Sequence, residues 1–204
     1  MHGPRIEGEV YQPELPSGEL EITDISNWPT VENRLRQVVL LGDRAFYPYR
    51  KANLSLQTVC PKDIFPLAMY ALLPQLSFIS SLYEELMRLE VDILNFDSQI
   101  SSIDFTWGKQ GRLAPPLIEI NDGCLLLVDG LHRVYLARLL GLETISAVIA
   151  DGVESTLPCL PVSWDDVILT DTVPPANLKR KFITGDPEAD YKLFRLLDDY
   201  VFYK

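Results

Sequence analysis

From Asn53 to Val59 (NLSLQTV) apolar and polar residues alternate, the period of a half-buried strand, and the run ends at Cys60-Pro61. The next segment reads as helical. Asp63 is placed to cap a first helix, Pro74 to break or kink it, and Leu76, Ile79, Leu82, Tyr83, Leu86 and Leu89 to form the apolar face of a second. Residues 91–114 have an irregular pattern, apart from a short strand over Ile103 to Trp107. The best-specified stretch runs from Pro115 to Asp151. There PPLIEI predicts a strand, Asn121-Asp122-Gly123 a hairpin turn and CLLLVD a second strand. Leu131 to Leu140 follows as a helix stopped by Gly141, and Thr144 to Ala150 as a third, fully apolar strand.

The flanks differ in character. Before Asn53 the chain is rich in Pro, Gly and acidic residues, with one short helix around Val31 to Val39 and a turn-like Tyr47-Pro48-Tyr49-Arg50 whose rings suit packing on a core. After Asp151 come Pro-rich loops. Asp186-Pro187-Glu188 then starts a C-terminal helix with a capping Asp and a first-turn Pro, and Leu193, Leu196, Leu197, Tyr200 and Val201 give it a buried stripe. The pattern predicts an α+β fold, a small mixed sheet with flanking helices. Residues 1–52 form an arm packed on the core, 53–151 the core domain, and 152–204 an extension ending in a helix.

Composition adds limits. A chain of 204 residues that is 47% apolar fits one domain with extensions and buries a real core. The apolar runs are too short to span a bilayer and the first residues lack an apolar signal core, so a cytoplasmic protein with no membrane partner is expected. Cys60, Cys124 and Cys159 show no metal-like spacing and read as free thiols in a reducing compartment. The net charge of −11 opposes a DNA partner. Lys179-Arg180-Lys181 is the one tight basic run, too short for a DNA footprint, and it reads as a solvated loop.

The candidate chemistry lies at Asp129-Gly130-Leu131-His132-Arg133, between the second strand and the helix. Amides in a helix's first turn lack intrahelical partners and the helix dipole favours negative charge there, so a strand, a Gly turn and a helix start make an anion site. Gly130 lets backbone approach a ligand, and His132 and Arg133 add side-chain donors. Each residue also has a plainer role. Asp129 either holds Mg²⁺ beside phosphates or caps the helix. His132 either contacts phosphate or is a core histidine bonded to a neighbouring loop. Arg133 either forks onto phosphate oxygens or forms a structural ion pair with Glu119 or Asp63. Glu119, between Ile118 and Ile120, faces either the turn or solvent. Cys124 reads as inert, and Trp107 and Tyr135 as either base-stacking or core residues.

The stretch PPLIEI…LLLVDGLHRVYLARLLGLETISAVIAD resembles the ParB/sulfiredoxin-like superfamily, in which paired strands deliver a D-G-x-H-R turn to a helix N-terminus. The resemblance covers Pro115 to Asp151 specifically and extends from Leu54 to Leu89, about half the chain. It implies a ParB/sulfiredoxin-like core. The nearest look is to the D-G-H-H-R branch, which includes free-serine kinases whose turn binds nucleotide phosphates and whose Pro-x-Glu carboxylate acts as base. Carried over, Gly130 to Arg133 with Asp129 hold ATP or ADP, or CTP, with Mg²⁺ at Asp129. Asp63, in Cys60-Pro61-Lys62-Asp63, becomes the base, and His132 and Arg133 stabilise transferred charge. Two departures narrow this. Leu131 replaces the branch's first histidine and the reactive cysteine of sulfiredoxins, which removes sulfinic-acid reduction. The C-terminal region offers no helix-turn-helix of the kind a partition-type DNA clamp uses.

Three functions follow from the resemblance: a nucleotide-dependent phosphotransferase acting on a small hydroxyl compound, a non-catalytic module sensing a nucleotide or phosphometabolite, and a ParB-like DNA-associated protein. The phosphotransferase needs Asp63 and Arg133 to face one cavity.

Overall fold

A computed structural model describes residues 20–104, 109–175, 178–197 and 202–203. Along the chain, β1 (Leu20–Ser26) leads through α1 (Trp28–Arg36) to β2 (Val39–Leu40). Next come β3 (Asn53–Val59), β4 (Ile64–Pro66), β5 (Tyr70–Leu72), α2 (Leu73–Arg88), β6 (Gln99–Asp104) and β7 (Lys109–Leu113). The central unit is β8 (Leu117–Asn121), β9 (Cys124–Asp129), α3 (Leu131–Leu139) and β10 (Ile145–Asp151). The remainder is β11 (Cys159–Leu160), a 3-10 turn at Trp164–Asp166, β12 (Ile168–Thr170), β13 (Lys181–Phe182), α4 (Pro187–Tyr191), β14 (Arg195–Leu196) and β15 (Phe202–Tyr203).

The fold is α+β, as the pattern predicts, and its centre is a five-stranded mixed sheet in the order β3-β10-β8-β9-β4. Strands β8 and β9 form a hairpin over Asp122-Gly123, both at positive φ (49° and 78°), the mirror-image turn that matches strand twist. From β9 the chain enters α3 and returns as β10, parallel to β8. Alternation divides the sheet's side chains between its two faces. Ile118, Leu127, Ala147 and Ile149 join Leu76, Ile79, Leu82 and Leu86 of α2 and Val134, Leu136 and Ala137 of α3. Leu54, Leu117, Val148 and Ala150 pack instead with Val31 and Leu35 of α1 and with Tyr49.

Several expectations change. Asp63 caps no helix: its amide closes a turn onto the Cys60 carbonyl at 3.0 Å, and the chain runs on as the short strands β4 and β5. Pro74 lies in the first turn of α2, where its missing N–H costs nothing, and so starts the helix that it was expected to break. Leu89 is the exposed C-cap of that helix. Residues 91–114, read as irregular, contain the β6–β7 hairpin, which pairs with β1. Of the Ile103 to Trp107 strand, 105–107 lie outside the described residues, as do Tyr200 and Val201.

At the C-terminal side Asp186 caps as expected, accepting from the amides of Glu188 and Ala189, but the helix ends at Tyr191. Leu193, Leu196 and Leu197 therefore form no helical stripe. The chain straightens into β14 and pairs with β2. Within the Lys179-Arg180-Lys181 run, Arg180 is half-buried with its guanidinium 4.5 Å from the Phe194 ring centre, so it is not a solvated side chain. Among the described residues no helix is long and apolar enough to cross a membrane.

Candidate functional site

The turn after β9 depends on Gly130. Its φ is +94°, and a β-carbon there would lie 2.9 Å from the Pro116 side chain and 3.1 Å from Nη2 of Arg133, so only glycine fits without displacement. Gly130 is itself the N-cap of α3, and no side chain caps the helix. Asp129 does not take that role. Its Oδ2 accepts from Arg133 Nη2 at 2.8 Å, an i,i+4 ion pair folded under the turn. Arg133 also donates through Nη1 to the Ala114 carbonyl and is buried. Its ion-pair partner is thus neither Glu119 nor Asp63. The buried guanidinium ties the turn to the segment entering β8, while the first-turn amides of α3 carry no side-chain cap.

His132 reaches sideways. Its Nε2 accepts from the backbone N–H of Leu72 at 3.0 Å, and Leu72 is the N-cap residue of α2, which likewise has no side-chain cap. Two helix N-termini therefore meet at this imidazole, and the positive ends of both dipoles lie near it. Because Nε2 accepts, the neutral ring carries its proton on Nδ1 as a donor. Burial, and then the positive Arg133, lower the His132 pKa to about 4, so the ring is uncharged at neutral pH.

That shift fixes a pH dependence. The unfolded chain binds the proton near pH 6.5 and the folded chain near 4, so the native state is fully favoured above pH 6.5 and loses stability as pH falls through this window. The loss runs at about 1.4 kcal/mol per pH unit, on the order of 3 kcal/mol in full. Urea unfolding of wild type and His132→Gln across this range should show a slope in the wild type that the variant lacks. Parallel curves would remove the assignment.

Asp63 lies elsewhere. Strand β4 runs parallel to β9 with Ile64 beside Leu125, which sets Asp63 level with Cys124, at the hairpin end of the sheet. Asp129 ends β9 five residues further on, about 16 Å away at the usual rise of a strand. The helix agrees: Arg138, in the last turn of α3, donates to the Pro61 carbonyl at 3.4 Å. The structure thus brings Asp129, Gly130, Leu131, His132 and Arg133 together and sets the exposed Asp63 at the far end of α3. Asp63, His132 and Arg133 do not share a cavity.

Other chemistry-bearing residues are similarly accounted for. Among the described residues no cluster of three His, Cys, Asp or Glu side chains is arranged to hold a metal, and one oxygen of Asp129 is already taken by Arg133. Cys159 is buried, which pushes its thiol up to about 11, so it is no nucleophile at neutral pH. Cys60, Cys124 and Cys159 are all free. Tyr135 packs edge-on against Trp164 at 5.8 Å as part of the helical-face core, and Trp107 lies outside the described residues.

Glu119 faces neither the turn nor solvent. Its neighbour Ile118 points to the helix face, so Glu119 points to the opposite one and is buried there. Arg195 Nε donates to Oε1 and Nη2 to Oε2, both at 2.8 Å, and the Tyr49 hydroxyl donates to Oε1 at 2.7 Å. The remaining Arg195 donors reach the carbonyls of Leu193 and Ser155. Burial, followed by the Glu119 charge, holds the Tyr49 phenol well above its usual range, so it stays a donor. A carboxylate in the middle of the apolar run PPLIEI was the available signal for this network. Its partners lie 70 and 76 residues away, beyond any local pattern.

No curated protein and no solved structure matches the chain significantly. The family model of the ParB CE domain matches residues 30–168, from within α1 to the first residue of β12 and roughly two thirds of the chain. The match takes in the whole central sheet, the DGLHR turn, and the meeting point of α2 with α3, and it agrees with the ParB-like resemblance read from the sequence. The chain belongs to the ParB CE domain family.

Proposed function

We propose that this ParB-like domain binds a nucleotide or phosphorylated small molecule at the DGLHR turn, as a sensing module without phosphoryl transfer. One observation carries the reading: His132, in the first turn of α3, brings that helix start to the N-cap amide of α2, and neither N-cap residue caps its own helix with a side chain. Two helix dipoles and their first-turn amides favour negative charge at such a junction. Gly130 gives the close approach that a phosphate needs, and Nδ1 of His132 adds a donor. Arg133 holds the turn in shape without serving as a ligand. The kinase alternative asks Asp63 to act as base on a substrate beside this turn, and Asp63 stands at the other end of the sheet. Mg²⁺ accompanies a nucleotide through its own phosphates, with Asp129 as the nearest carboxylate.

Calorimetry with ATP, ADP and CTP, each with Mg²⁺, tests this. Binding of at least one is expected, with no phosphate released or transferred, and with an unchanged constant in Asp63→Asn. Turnover that disappears in Asp63→Asn would replace the sensing module with the phosphotransferase. No binding to any of the three, nor to inorganic phosphate, would remove the site. A salt-sensitive shift of duplex DNA would instead favour the DNA-associated function, against the net charge of −11.

A further inference from the structure

The two edges of the central sheet are treated differently. On the β4 edge the outward carbonyls are used: Trp164 donates its indole N–H to the Ile64 carbonyl at 2.6 Å, and the Val162 amide donates to the Pro66 carbonyl at 2.8 Å. On the β3 edge, among the described residues, β3 pairs with β10 alone.

Which groups β3 leaves open follows from the register. The Val148 amide donates to the Pro116 carbonyl on the β8 side, so the alternate residues Ile145, Ala147, Ile149 and Asp151 direct their backbone groups at β3. Their partners there are Val59, Gln57, Ser55 and Asn53. The N–H and C=O groups of Leu54, Leu56 and Thr58 consequently point outward. Beside them lies an open groove of about 500 Å³ lined by Ile25, Trp28, Leu54 and Leu56, with Asp97 the one charge among its lining residues. Ile25 is 58% exposed.

Exposed edges are normally defended by a charge, a proline, a bulge or a covering segment. The strand NLSLQTV has no charge, no proline and no break in its register with β10. An undefended edge of this length is suited to being covered. The charge distribution selects the occupant. A basic partner would be met by acidic residues, which a chain of net −11 has in plenty, yet this strand has none. Two copies repel each other overall and so associate best through a neutral strip. The strip is also self-complementary. About a two-fold axis at Leu56, Leu56 faces its counterpart and Leu54 faces Thr58 of the second copy, so each facing pair exchanges two backbone hydrogen bonds.

We infer that β3 is the homodimerisation edge, joining two copies antiparallel into one continuous sheet, with the groove beside Trp28 filled by the second copy. Sedimentation of the full chain from low to high micromolar concentration should show a dimer. Amide exchange in that dimer should be slow at Leu54, Leu56 and Thr58. Thr58→Pro removes an outward N–H that the monomer does not use, and Thr58→Glu adds a charge of the chain's own sign. Each should weaken association by roughly tenfold or more, equivalent to about 1.4 kcal/mol, with thermal unfolding little changed. If one variant fails to fold, the other supplies the comparison. A monomer throughout would overturn the inference, and slow exchange at these amides in a monomer would assign the edge to another segment of the same chain. Fast exchange at the three amides in a dimer, or a dimer unaffected by the substitutions, would place the interface on another face.

Discussion

Replacing Glu119 with leucine should destabilise the protein by about 3–5 kcal/mol, a large share of the about 5–15 kcal/mol by which a folded domain is typically stable. The reason is what remains. The Arg195 side chain has no exposure, and without Glu119 its Nε loses its acceptor and its charge has no counterion. The Tyr49 hydroxyl, also buried, loses its acceptor in the same step. Removing the whole polar group is different in kind. The triple variant Glu119→Leu, Arg195→Met, Tyr49→Phe leaves no buried charge, and it should recover most of the stability that the single change loses. Urea unfolding of the single and triple variants measures this directly. A Glu119→Leu protein as stable as wild type would mean that Arg195 finds solvent by moving β14 away from β2.

The second large effect belongs to Arg133. Arg133→Met should cost roughly 2–4 kcal/mol, since it leaves the Ala114 carbonyl without its donor and Asp129 without its counterion. Arg133→Lys should recover only part of this, because an ammonium cannot reproduce a fork that serves a carbonyl and a carboxylate at once. Nucleotide affinity, measured where each variant is folded, should change little. A variant that keeps wild-type stability and loses nucleotide binding would make the guanidinium a ligand contact and the ion pair with Asp129 incidental.

Elements whose cause is local were legible in the sequence. The hairpin of β8 and β9 follows from Asp122-Gly123, α3 from its Gly-bounded apolar run, and β3 from alternation over Asn53 to Gln57. The segment around Asp63 was misread because an Asp before apolar residues and a later Pro mimic a helix with a break. Three-residue strands such as β4 and β5 owe their existence to the strands beside them, which no local window contains. The C-terminal segment failed for a related reason. Its leucines have helical spacing, but Arg195 is held at Glu119 and its backbone at Leu40, and both anchors require an extended chain.

The site divides along the same line. The turn itself was readable, but the pairing of Arg133 was not: its partner is Asp129 at the end of β9, not Glu119 or Asp63. The distance from Asp63 to the turn was not readable. It depends on β4 lying beside β9 with Ile64 at Leu125, a choice of register between strands about sixty residues apart. A family motif can therefore be carried over as a local shape more safely than as a pair of cooperating residues.

The link between Glu119 and Arg195 also orders events during synthesis. At ribosomal rates of 5–20 residues per second, the 76 residues that separate them take roughly 4–15 s to make. Through that interval β8 through β10 can emerge and begin to pair, but the carboxylate at the centre of the sheet has no cation to meet. It must stay hydrated, which keeps the α1 face of the sheet from closing dry. The face of the sheet toward α2 and α3 can therefore close before the other, which waits for the distant arginine. This makes the late interval the one in which a chaperone would have most influence on the yield of folded protein.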